Sequence, residues 1–460
     1  MKSRKITLTY QDVPYVDDVS CIFSLFAHLP WAMYLDSGRP YRENGRYEIF
    51  SAHPHKTFLT QGKKTTVSEN GYQHIELEDP FSLVAKELDG ISMEDNDLPF
   101  TGGAIGYFAY DLGRKIEKIP TIAIDDLEIP EMAIGIYRWA YVSDHHKRKA
   151  TLVGDLTDHR VRLYWNDLIA KVSRSNSHDI KDKTFKARGK IRSNMKETDY
   201  HEKFSKIKNY ISAGDCYQVN LAQRFSVEVE GDAWTGYQDL RSINPSPFSA
   251  YINIPDCKIL SVSPERFISL SDGTVETKPI KGTRPRSDNH TQDEKLKSEL
   301  ESSIKDRAEN VMIVDLLRND LSKFCKVNSV KVTKLFDIET FPTVHHLVST
   351  IQGKLPNHIS PVQLLRSCFP GGSITGAPKV RSMEIIEELE PHRRGVYCGS
   401  IGYIGFNGNM DTNIAIRTLI IKENHAYFYA GGGLVWDSDS NEEYQETYDK
   451  AAAMFTFFGQ

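Results

Sequence analysis

The chain has 460 residues, a formal net charge of −5 and 40% hydrophobic residues. That length suggests two or three domains or one large α/β unit, with ordinary globular composition and ample material for a core. The mildly acidic balance argues against nucleic-acid or anionic-membrane partners. No apolar run reaches the ~18 residues of a membrane helix, and residues 1–10 lack the apolar segment of a signal peptide. The six cysteines, Cys21, Cys216, Cys257, Cys325, Cys368 and Cys398, stand apart from one another. No zinc or disulfide pattern is indicated, and isolated thiols fit a reducing cytoplasm.

Residues 5–144 are strand-like in pattern. Strands are expected at residues 6–10, at 31–38 running into a turn, and at 47–52. Residues 102–111 are glycine-rich and aromatic, but they lack a Lys-Ser/Thr ending and GxGxxG spacing. A tightly packed strand is the better reading than a phosphate loop. Residues 134–142 and 150–154 read as two strands joined by a polar turn, with His145 and His146 at a solvated hairpin tip. Residues 158–172 fit a helix. Residues 173–197 are polar and basic, and divide an N-terminal region, 1–172, from a C-terminal region, 198–460, as a linker or long surface loop.

In the second region Thr198 can cap a helix bearing Tyr200, Phe204, Ile207 and Ile211 at helical spacing, with Gly214 at its end. Strands follow at residues 218–229, 248–254 and 258–262. A hairpin over 268–276 could bring Glu265 and Lys281 to one end of a sheet. Lys281 lies between Ile280 and Gly282 in a proline-stiffened stretch. A solvated turn lysine is one reading; a desolvated amine acting as nucleophile or base is the other. Residues 293–317 form the longest helical pattern, and Asp306 and Glu309 share one face of it. The apolar run 311–317, broken by Asp315 alone, predicts a mostly buried helix. Its carboxylates then need a counter-charge from Arg307, Arg318, Lys305 or a divalent cation.

Residues 344–351 read as a strand with His345 and His346 on opposite faces. Residues 369–379 form a glycine-rich turn opening a helix at 380–390; such a start suits an anion, though no Walker motif is present. Residues 399–406 and 410–421 read as a hairpin about Asn407-Gly408, with Arg417 projecting from its second strand. Residues 426–430 form a strand stopped by Gly431, Gly432 and Gly433. A last helix spans 440–457, with Glu443 and Glu446 on one face. Ordinary surface charge would explain that pair, but two carboxylate pairs on two helices make a bridging Mg²⁺ attractive.

Seven segments in this order resemble the chorismate-utilising enzymes: SPERF (263–267), PIKGTR (279–284), DRAENVMIVDLLRND (306–320), VHHLVS (344–349), GSITGAPK (372–379), AIRT (415–418) and GGGLVWDS (431–438). The N-terminal region matches more loosely, through Leu35-Asp36-Ser37 and residues 102–110. Position 281 discriminates within this family. Anthranilate synthase component I has alanine there, and aminodeoxychorismate synthase component I has lysine, as here. Isochorismate and salicylate synthases carry a water-activating lysine in the strand where this chain has Gln218. Together with GDCYQVNLAQRF (214–225), these features are similar to the aminodeoxychorismate synthase component I branch. Anthranilate synthase, an isochorismate-type enzyme and a non-catalytic tryptophan-sensing subunit are the rival readings.

The resemblance implies an α+β fold of large layered antiparallel sheets with helices outside. It implies chorismate as substrate and Mg²⁺ as cofactor, with Glu309 and Glu446 as direct or water-mediated ligands and Asp306 and Glu443 beside them. Arg417, Tyr403 and the backbone of Gly431, Gly432 and Gly433 would take the second carboxylate, with Thr283, Ser373 and Lys450 completing the substrate site. Lys281 would attack C2, Glu265 would protonate the departing C4 hydroxyl, and His346 would act as an acid or orient the substrate. The chain has no Gly-x-Cys-x-Gly turn, so ammonia would come from a glutamine amidotransferase subunit or from solution. Leu35, Asp36 and Ser37 match the place where relatives bind tryptophan; a plain strand and turn is the other reading.

Overall fold

The computed structural model describes residues 4–40, 45–92, 96–174, 183–341 and 344–460. Two large sheets dominate, of twelve and thirteen strands, with helices outside them. Every pairing within these two sheets is antiparallel. The first sheet runs from Ile280–Pro285 and Val344–Lys354 through Arg266–Ser271, Ser400–Gly405 and Gly103–Phe108 to Tyr72–Glu76. The second runs from Phe185–Ala187 and Gln218–Gly231 through His425–Leu434 and Lys258–Ser263 to Ala32–Asp36 and Leu8–Val13. Each sheet therefore interleaves strands from residues 1–172 with strands from residues 198–460, and the boundary between those regions is one of sequence rather than of packing. Among the described residues no helix is long and apolar enough to cross a membrane.

Alternation along the strands assembles two cores. Met33, Ile49 and Ile252 of the second sheet meet Phe58, Ile105 and Ile134 of the first between the layers. Their neighbours Tyr34, Phe50 and Tyr251 point the other way, into a layer with the helical residues Phe23, Trp165 and Trp234, as the two-residue period of a strand requires.

Several expectations are corrected. Residues 134–142 form two strands: Met132–Tyr137 lies in the first sheet and Trp139–Asp144 in the second, with the chain crossing at Arg138. Residues 410–421 divide likewise into Met410–Asn413 and Thr418–Lys422. Both corners keep a β-like sequence pattern, which is why one strand was expected. His145 is 6% exposed and bonded to the Tyr15 hydroxyl at 2.9 Å, so it is not solvated. Thr198 is not the helix cap, because the Glu197–Ser212 helix starts at Lys196, whose N–H donates to Asp199. Residues 293–317 break at Ser303, whose hydroxyl accepts from the Asp306 N–H and starts a new helix, Ile304–Ser322. That helix is buried along part of its surface rather than mostly buried: Ile313, Val314 and Leu317 face the core while Val311 is 41% exposed. The strand His425–Leu434 runs straight through the three glycines expected to stop it. Within the expected linker, Phe185–Ala187 and Arg192–Ser193 pair with Gln218–Gly231, while residues 175–182 lie outside the described residues.

The glycine-rich segment 102–111 is a packed strand, as expected. A Cβ at Gly106 would lie 1.9 Å from the Ala133 carbonyl oxygen. Gly106→Val is therefore expected to lower the unfolding free energy by about 3 kcal/mol, read from urea midpoints, since neither backbone can yield.

Candidate active site

The strand Ile280–Pro285 carries the central amine. It pairs with Val344–Lys354, Lys281 opposite Leu347 and Thr283 opposite His346, with a register shift between them. Gly282, at φ 74°, forms this bulge. A Cβ there would meet Leu300 Cδ1 at 2.7 Å and Asp306 Cγ at 2.8 Å, so only glycine lets two helices close over the bend. The bulge re-aims the flanking side chains, a common use beside active sites.

Lys281 is half-buried. Burial pushes its pKa down, and the neighbouring Lys450 ammonium pushes the same way; Glu309, Glu265 and Glu446 oppose both. Glu265 is 6% exposed and accepts from Ser373 Oγ at 2.9 Å. Burial raises its pKa against the pull of Ser373, Lys281 and Lys450. The pair thus tends towards a neutral amine facing a protonated acid, the combination that nucleophilic attack with acid-assisted departure needs.

His346 is 3% exposed and its Nδ1 lies 2.8 Å from Thr283 Oγ1. Burial and the nearby Arg417 guanidinium push its pKa down to about 3, so the ring is neutral. His345 points into a different network, with Nε2 3.0 Å from Asp293 Oδ1 and Nδ1 2.9 Å from Thr340 Oγ1. Arg417 does not project from mid-strand. It occupies the corner between the sheets at φ 50°, a strained position for a side-chain-bearing residue. Among the described residues no carboxylate pairs with it, and burial alone lowers its pKa. A half-buried guanidinium without a counter-ion suits an anionic ligand.

The carboxylates converge from two helices. Glu309 lies on Ile304–Ser322, and its raised pKa reflects burial opposed by Lys281 and Lys305. Glu443 and Glu446 lie on Ser440–Phe457 and turn toward Gly432, where a Cβ would come within 3.0 Å of Glu443 Oε2 and 3.4 Å of Glu446 Oε1. Ser438 Oγ donates to Glu443 Oε1 at 2.6 Å. Lys450 Nζ pairs with Glu446 at 2.5 Å and donates to the Gly431 carbonyl at 3.0 Å. Asp306 stands near Glu309 but is engaged by Arg284 at 3.1 Å. Of the counter-charges expected, Lys305 acts on Glu309, whereas Arg318 pairs with Asp315 and Arg307 covers the Phe336 ring. Hard oxygen donors of this kind fit Mg²⁺. Among the described residues no three metal-ligating side chains yet stand close enough to share one ion, and lysines supply the counter-charge in this arrangement.

Two sequence expectations land elsewhere. Tyr403 lines a separate cavity of about 320 Å³ together with Leu35, Asp36, Ser37, Tyr47 and Phe248, and Asp411, Arg266 and Tyr47 are the charged or titrating groups around its hydroxyl. It therefore does not join the Lys281 cluster. Asp36 turns its carboxylate inward, to Arg241 at 2.7 Å and to the Tyr237 hydroxyl at 2.9 Å. Arg241 was not anticipated, and a lone arginine in the otherwise apolar face of Ala233–Ile243 was the available signal; Ser438 closes the GGGLVWDS segment, but its role beside Glu443 was not anticipated. Gln218 is buried against Gly433, where a Cβ would fall 1.9 Å from its Nε2, and its Oε1 has no hydrogen-bond partner.

Residues 32–456 match the family described as chorismate binding enzyme. The chain belongs to that family. It is 47% identical over 437 residues to aminodeoxychorismate synthase component 1 of Klebsiella aerogenes, covering 94% of this chain and 95% of that one. Its identity to the protein of the same name from Escherichia coli strain K12 is also 47%, over 438 residues and 94% of each chain. The crystal structure of anthranilate synthase component I from Streptococcus pneumoniae TIGR4 superposes with a TM-score of 0.79 at 33% identity, covering 89% of this chain and 92% of that one. The layered α+β fold expected from the sequence is the fold of this family.

The depressed Lys281 pKa makes a stability prediction. An unfolded lysine titrates near 10.4, so between the two pKa values the unfolded chain binds more protons and stability rises with pH. Without divalent cations, Lys281→Met is expected to be more stable than the parent at pH 7, and urea midpoints should converge as pH approaches ~10.

Proposed function

We propose that the chain is an aminodeoxychorismate synthase component I, converting chorismate and ammonia to 4-amino-4-deoxychorismate through a covalent Lys281 adduct. The observation that carries the reading is the half-buried Lys281 amine facing the buried, acid-stabilised Glu265. The identity to relatives of that name supports it. The lysine at position 281 and glutamine at 218 favour it over anthranilate- and isochorismate-forming readings.

Arg417 would bind one substrate carboxylate as a bidentate donor, and Lys450, Thr283 and the backbone of Gly431, Gly432 and Gly433 would shape the rest of the pocket. Glu309 and Glu446, with Glu443 alongside, would hold Mg²⁺, which when bound neutralises the other carboxylate. Neutral Lys281 Nζ forms a bond to C2 while the two ring double bonds shift and the C4–O bond breaks. The hydroxyl leaves as water with the proton of Glu265. Ammonia then bonds to C4, the double bonds shift back, and Lys281 departs as a neutral amine. The positive charge passes to the new C4 ammonium, and Glu265 regains its proton from that group or from solvent. His346, neutral and tied to Thr283, orients rather than protonates.

Ammonia would be supplied by a glutamine amidotransferase subunit, consistent with component 1 in the relatives' names. Six free cysteines accord with work in the cytoplasm. Tryptophan is a candidate for the separate cavity, whose apolar walls are joined by the buried, unpartnered Ser37 hydroxyl.

Incubation with chorismate, ammonium and Mg²⁺ should yield 4-amino-4-deoxychorismate, and anthranilate appearing without an added lyase would overturn the assignment. Lys281→Ala should abolish an enzyme–substrate adduct seen by intact mass. Arg417→Ala should raise the chorismate KM by roughly a hundredfold, as for loss of one partner of a buried charge pair, while Lys281 adduct formation persists at saturating substrate.

A further inference from the structure

The Glu197–Ser212 helix packs on the Ser440–Phe457 helix that carries Glu443 and Glu446. Tyr200 lies at this contact. Its side chain is 0% exposed and its ring tilts against Tyr444 at 5.3 Å. The hydroxyl is buried with no hydrogen-bond partner. Leaving a buried hydroxyl unpaired is costly, and phenylalanine would fill the same space without that cost. Packing therefore accounts for the ring and not for the oxygen. The charges that act on this hydroxyl are Glu443 and Glu446, and no cation is among them.

The two carboxylates differ in how firmly they are held. Glu443 is 4% exposed and receives Ser438 Oγ at 2.6 Å. Glu446 is half-exposed and its partner is Lys450, itself on a flexible stem and shared with the Gly431 carbonyl. Glu446 is thus the carboxylate free to reorient when another cation competes with Lys450. A neutral donor behind a metal-binding carboxylate fixes its orientation without competing for the charge.

We propose that Tyr200 is a positioning residue of the carboxylate site, its hydroxyl donating to Glu446 when that carboxylate turns from Lys450 to a divalent cation. This rests on the Mg²⁺ reading given above. It adds a residue from outside the matched motifs, on a helix whose Lys208 also donates to the Ser438 carbonyl at 3.4 Å.

The test is Mg²⁺ titration of the full-length chain by calorimetry without chorismate, comparing the parent with Tyr200→Phe. The variant is expected to bind Mg²⁺ about tenfold more weakly, with a melting temperature without metal equal to or above the parent's. Half-saturating Mg²⁺ in the ammonium-dependent reaction should rise by the same factor, with kcat recovered at saturating metal. Equal Mg²⁺ affinity in the two proteins would overturn the role of Tyr200 alone. A lower melting temperature with unchanged affinity would do the same, marking the hydroxyl as part of the packing. Absence of Mg²⁺ uptake by the parent would overturn the cation reading and this proposal together.

Discussion

The site is built around an amine placed where water is scarce and like charge is near. Desolvation lowers the affinity of Lys281 for its proton, and Lys450 adds to that effect. Glu309, Glu265 and Glu446 pull the other way, and burial raises the pKa of Glu265 and of Glu309 themselves. The result is an electrostatic balance that loosens the hold of Lys281 on its proton and tightens that of Glu265 and Glu309. An isolated surface lysine would hold its proton to pH ~10 and offer almost no nucleophile. The fold is what keeps these groups together against their preference for water.

It does so by drawing each sheet from both halves of the chain. Lys281 lies on an edge strand of the first sheet, Glu309 on a helix packed over that strand, and Glu443 and Glu446 on a helix packed on the second sheet. Arg417 lies where the chain passes from one sheet to the other, and its left-handed backbone is part of that corner. Moving either sheet relative to the other would separate the amine from its carboxylates. The two close-approach glycines serve the same end: Gly282 lets helices cover the bend beside Lys281, and Gly432 leaves room for two carboxylates.

Much of this was legible in the sequence, and the limits have physical causes. The terminal helix Ser440–Phe457 and the Gln218–Gly231 strand follow from local periodicity and caps, and they stand close to where they were expected. Motif order placed Lys281, Glu265, Glu309 and Glu446 in one neighbourhood, and the structure brings them together. What periodicity cannot carry is sheet membership. A strand that changes sheets at Arg138 or between Asn413 and Thr418 keeps the same alternation throughout. Face is equally hidden: Tyr403 has the right chemistry for a carboxylate, but its strand turns it into the other cavity. Ser303 shows a local signal underweighted, since a serine three residues before an acid is a helix start even inside an apparently continuous helical run.

The Arg417 guanidinium also bears on the protonation of its neighbour His346. Burial is the main cause that holds the His346 pKa down, and the Arg417 guanidinium, which keeps its charge at any working pH, adds to it. With its pKa pushed down to about 3, the ring is neutral at neutral pH. Its link to Thr283 Oγ1 and the Gly282 backbone instead fixes the bulge that aims Lys281. Glu265 is the group whose environment favours the protonated form, because burial outweighs the donors around it. Burial thus favours the neutral form of both groups, with the Arg417 guanidinium adding to that effect at His346 alone.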